Sequence, residues 1–143
     1  MKSVSDLSLL LASIHPVLVE GEFVFVTTIR VRDLESQDVL GIFHEGEGTT
    51  LICSKNYADR AGLNYEGTYR QITLTVYSSL QAVGFLAEVS RALARAGISC
   101  NVMSAFYHDH LFVPAPCAPS AMDVLLALSA QKPAEPRDNR MNG

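Results

Sequence analysis

The spacing of apolar residues changes several times along the chain, and each change marks an element. Leu7, Leu10, Leu11 and Ile14 recur at helical intervals and Pro16 stops the run, which predicts a short amphipathic helix. After Gly21, "EFVFVTTI" is rich in aromatic and β-branched residues, as strands are. "VLGIF" and "TTLICS" flank "HEGEG", whose two glycines suit a tight hairpin. "KNYADRA" predicts a short helix closed by Gly62 just past its end. "YRQITLTVY" alternates, with Ile72, Leu74 and Val76 on one face and Thr73, Thr75 and Tyr77 on the other.

The strongest helical pattern is "AVGFLAEVSRALARAG". Leu86, Val89 and Leu93 form its apolar stripe, Glu88, Arg91 and Arg95 repeat the spacing on the opposite face, and Gly97 ends it. "ISCNVMSAFY" then predicts a strand with Ile98, Cys100, Val102 and Phe106 on one side, and "HLFVP" returns as its partner. "PSAMDVLLALSA" is the last helix, with Ser120 and Asp123 spaced as a capping box and Ala121, Val124, Leu125 and Leu128 turned inward. The tail "QKPAEPRDNRMNG" is polar and carries two prolines, so disorder is expected there.

In element order the second half is β-α-β-β-α, and the first is α-β-β-β-α-β if residues 69–77 are counted with it. Both are pieces of the βαββαβ unit, so the fold class expected is α+β and ferredoxin-like, with antiparallel sheets and helices on one face. The units expected are 1–66 and 67–131, followed by a tail at 132–143. Each is one strand short. Either the halves lend strands to each other or a second subunit completes the sheets, because open strand edges invite pairing.

Composition narrows the function. With 48% hydrophobic and 18% charged residues in 143, the chain can build a core. A net charge of −4 and scattered Lys and Arg give no footprint for nucleic acid. Cys53, Cys100 and Cys117 are odd in number and lack CxxC spacing, which suits buried free thiols in a reducing compartment. Lys2 precedes a short apolar patch, but Asp6 interrupts it and no cleavage site follows. No apolar run is long enough for a membrane span, so a cytoplasmic protein is expected, with no cofactor.

The segment "ITLTVYSSLQAVGFLAEVSRALARAGISCNVMSAFYHDHLFVP" resembles the ACT-domain proteins, in particular the short bacterial ones with two ACT-like units in tandem. "LLASIHPVLVEGEFVF" and "FHEGEGTTLI" are similar to the N-terminal unit of the same proteins, so the likeness covers about residues 7–130. It implies a non-catalytic regulatory module that binds an amino acid or similar small effector, and a homodimer with joined sheets. The chain departs from the general family loop, which has Asp or Asn and a Pro-Gly pair where Ser78, Ser79 and Val83-Gly84 stand here.

Two stretches carry candidate chemistry. In "YSSLQAVG" a strand gives way to a helix, whose unpaired N–H groups and dipole favour an anion such as an α-carboxylate. Ser78 and Ser79 can contact it or simply cap the helix, which serines commonly do. Gly84, taken as part of the first helical turn, leaves room for close approach. The candidate contacts are Ser78, Ser79, Leu80, Ala82, Val83, Gly84 and, from the next strand, Asn101. The second stretch is "FYHDHLFVP". His108, Asp109 and His110 could serve a small metal-dependent enzyme, the alternative reading, but on one extended segment Asp109 faces away from both histidines. A hairpin turn held by Asp109 is the simpler expectation, with no metal and no catalytic residue.

Overall fold

Asp6 is the cap of the first helix. A computed structural model describes residues 6–29, 37–75 and 81–130. The Asp6 Oδ1 accepts from Leu9 N at 3.0 Å and starts α1 (Leu7–Ala12). Strands β1 (Pro16–Leu18), β2 (Phe23–Thr28), β3 (Val39–His44) and β4 (Thr49–Ser54) follow, then α2 (Lys55–Ala61) and β5 (Tyr69–Leu74). The chain continues with α3 (Phe85–Arg95), β6 (Asn101–Ser104), β7 (Asp109–Pro114) and α4 (Ala118–Ser129). Ser54 caps α2 by accepting from Tyr57 N at 3.1 Å, and Gly62 ends that helix at φ +67°.

All strand pairs are antiparallel and form one sheet in the order β3-β4-β2-β5-β7-β6, with β1 also paired to β5. Strand β1 is not predicted by the residue pattern, because three residues that begin at a helix-stopping proline carry no alternation. Pro16 and Leu18 nonetheless pair with Leu74 and Ile72, and Val19 N donates to Gln71 O at 2.9 Å. Gly21, at φ +96°, kinks the segment, after which Phe23 still pairs with Tyr69 while β2 runs on along β4. The halves are therefore joined by a segment that starts beside β5 and ends beside β4.

Residue alternation puts every helix on one face. Val24, Val26, Leu51 and Cys53 pack against Tyr57 and Ala58 of α2. Ile72, Leu74, Leu111 and Val113 pack with Leu10, Val89, Leu93 and Leu125 of the other three helices. The residues between them point the other way. Phe23, Phe25 and Phe112 stack edge to face across the join, with Phe112 centred 6.0 Å from Phe23 and 5.6 Å from Phe25. This helix-free face is concave. A Cβ on Gly41 of β3 would lie 3.6 Å from Ile52 Cδ1 and 3.9 Å from Met103 Cε, although β3 and β6 are the two ends of the strand order. The sheet twist has carried its edges round towards each other.

Four local expectations are corrected. Helix α3 begins at Phe85, so Gly84 is its N-cap rather than part of its first turn. Helix α4 is capped at Cys117, placing Ser120 and Asp123 inside it and leaving no capping box. Phe106 is two-thirds exposed at a hairpin tip instead of inward, because β6 ends at Ser104. Asp109 is the buried first residue of β7, paired with Leu74 and Ser104, and not the turn. The turn is Ala105–His108, closed by Ala105 N donating to His108 O at 3.1 Å. The thiols are free, but only Cys53 is fully buried; Cys100 and Cys117 are half-buried. The proposed tail lies outside the described residues.

Candidate functional site

The β5–α3 connection starts at Thr75, whose N–H and hydroxyl both donate to His15 O, at 3.1 and 2.7 Å. Ser78, Ser79 and Leu80 lie outside the described residues. From Gln81 the path is described again. Ala82 is half-buried against the large core and Val83 is 85% exposed. Gly84 adopts φ +87°, ψ −10°, and its carbonyl accepts from Glu88 N at 3.0 Å, the first turn of α3. Unlike Asp6 and Ser54, Gly84 has no side chain to accept from the first-turn N–H groups. The positive end of an eleven-residue helix is thus presented without a cap from its own N-cap residue. The left-handed backbone explains the glycine, since other residues rarely adopt it. Its near neighbour is the side chain of Leu7, 3.5 Å from the position of a Cβ.

Asn101 stands elsewhere. Strand β6 runs parallel to β5 with β7 between, so Asn101 shares a row with Phe112 and Gln71, three rows back from Leu74. It also points to the helix-free face, as its partner Phe112 does. Ala82, Val83 and Gly84 come together at the start of α3, and Asn101 does not join them within one chain. Spacing could not reveal this, because it depends on which end of the sheet β6 starts from.

The histidine segment is built into the sheet. His110 Nδ1 lies 2.9 Å from Thr73 Oγ1 and 3.2 Å from Gln71 Nε2, two neighbours on β5. Burial, with His108 nearby, lowers the His110 pKa below its usual 6.5, while Asp109 opposes the shift. Accepting from the Gln71 amide also favours the neutral ring. Among the described residues, no three His, Cys, Asp or Glu side chains are grouped to hold a metal. Burial, followed by the charge of Asp38, pushes the Cys53 thiol up to about 11. Burial does the same to Cys100, also to about 11. A cleft of about 210 Å³ on the concave face, between β3 and Met103, had no signal in the sequence because curling brings distant strands together.

Paired ferredoxin-like units in one antiparallel sheet, with the described helices on one face, define a class of small α+β domain. ACT domain family profiles match residues 2–70 and 66–127 in tandem. The chain belongs to the ACT-domain family, whose modules are regulatory and bind small molecules. Among solved structures it is similar to a Vibrio cholerae protein of unknown function described as a possible transport protein. That match has 40% identity and a TM-score of 0.78, over 86% of this chain and 95% of the other. An Agrobacterium tumefaciens protein shares the fold at 18% identity and TM-score 0.67, over 81% and 89% of the two chains. The regulatory subunit of aspartate kinase from Thermus thermophilus shares it at 11% identity and TM-score 0.57, over 81% and 98%. No curated protein matches the sequence. No helix among the described residues is long and apolar enough to cross a membrane.

Proposed function

We propose that this protein is a non-catalytic sensor of an amino-acid-like effector, held where the β5–α3 connection meets the start of α3. The observation that carries the reading is the glycine cap: Gly84 opens the α3 N-terminus without supplying a capping side chain. An α-carboxylate placed there accepts from first-turn N–H groups and gains from the helix dipole. Ala82, Val83 and Gly84 are its contacts among the described residues, and Ser78, Ser79 and Leu80, which precede them in the sequence, are assigned to the same loop site. The module works in the cytoplasm as a homodimer, where reducing conditions keep its three cysteines as thiols.

The test is calorimetry and thermal denaturation with each common amino acid. A ligand at about a hundred times its dissociation constant adds roughly 2.7 kcal/mol to stability. The Ser78→Ala, Ser79→Ala double variant should keep its fold and dimer yet lose most of that gain. Absence of any stabilising amino acid, or an undiminished response in the double variant, would overturn the proposal.

A further inference from the structure

We propose a second small-molecule site, independent of the first: the cleft on the concave face takes a small apolar molecule carrying a protonated amine. Gly41 supplies the lead. Its φ is not in the left-handed range, and a Cβ there would meet Ile52 and Met103 at ordinary contact distances. Gly41 sits at a register shift of β3, where glycine is common, but neither its dihedral nor crowding requires one, and a strand glycine also marks a place of close approach. What Gly41 does is keep open the gap between Ile52 and Met103, which belongs to the 210 Å³ cleft.

The cleft has a firm floor and a polar mouth. Phe25 forms the floor and is held edge to face by Tyr69, at 5.1 Å, and by Phe112. Met103 closes the far side with a flexible thioether that adapts to an apolar guest. At the mouth the Thr50 hydroxyl donates to the Glu45 carboxylate. Among the described residues that line it, Glu45 is the one ionisable group, so the cleft selects a cation and disfavours an anion. A cavity of about 150 Å³ accommodates benzene. This one, somewhat larger and open on one side, suits a single ring or branched alkyl group bearing a short ammonium arm.

The probe is phenethylamine, compared with 2-phenylethanol and phenylacetate on the same skeleton, titrated into the full chain carrying [methyl-13C]methionine. The Met103 methyl signal should shift saturably with phenethylamine while that of Met122, in α4, stays still. The alcohol should bind about fivefold more weakly, as suits a partly exposed ion pair, and phenylacetate should not bind. Glu45→Gln should bring the amine down to the level of the alcohol. Gly41→Val should abolish the titration and leave the amino-acid response at the α3 loop intact, which separates this site from that one. If Val disturbs the strand, Gly41→Ala should still weaken binding. No saturable shift at Met103, equal binding of phenylacetate, or a titration unaffected by either Gly41 variant would overturn the proposal.

Discussion

Leu7, in the first helix, closes over Gly84 at the cap of the third: its Cδ2 lies 3.5 Å from where a Cβ would stand on a backbone at φ +87°. Two costs can therefore follow from adding a side chain, one from the dihedral and one from the contact. The contact is of ordinary length, so the dihedral dominates. Gly84→Ala should destabilise the protein by about 1–2 kcal/mol in urea denaturation. Trimming the neighbour with Leu7→Ala in the same chain should not restore the loss. Rescue by that second change would show that contact, not backbone conformation, fixes the glycine.

Phe112 is 2% exposed and joins the halves through Phe23 and Phe25. Phe112→Ala should cost about 3–5 kcal/mol, as large-to-small changes of buried aromatics do. Because residues of both halves line the cavity left behind, fluorescence and circular dichroism should report one shared transition at lower denaturant. Separate transitions would mean that the halves are held together elsewhere.

His110 sets a pH dependence. Its folded pKa is lowered, so between that value and 6.5 the unfolded chain binds more protons than the folded one, and stability rises with pH. The contribution is complete above about 6.5 and is lost as pH falls through the lowered folded value. His110→Gln should flatten this acid slope in melts between pH 7 and pH 4.5. An unchanged slope would assign it to other groups.

A fragment of residues 67–131 should not melt cooperatively as a monomer. It lacks β1, leaving the Ile72–Leu74 edge of β5 open, and it lacks Leu10, which is fully buried in the core of α3 and α4. Adding a peptide of residues 6–20 should restore a cooperative transition. A sharp, concentration-independent melt of the fragment alone would contradict the shared core.

Local patterns in this chain were legible where one residue type has one physical role. Gly62 ends α2 because its αL backbone suits glycine, and Ile72 and Leu74 face the core because strands alternate. Asp109 misled because aspartate is common in turns, whereas this one is buried at the start of a strand by pairing that no local pattern encodes. Gly84 stands out in its loop, yet the reason for a glycine there, a positive φ, appears only in the backbone. The separation of Asn101 from that loop follows from strand order. The meeting of Gly41 with Met103 follows from curvature. Both are properties of the assembled sheet.

The pairing of β1 with β5 also bears on synthesis. Leu10 and Pro16 are made early, but their partners extend from Leu74 to Leu125. At about 5–20 residues per second, roughly 6–23 s separate the appearance of Leu10 from that of Leu125. During that interval the apolar side of the first helix has no lasting cover on the ribosome. The segment around α1 is thus made well before the elements that cover it and is among the last to find its place.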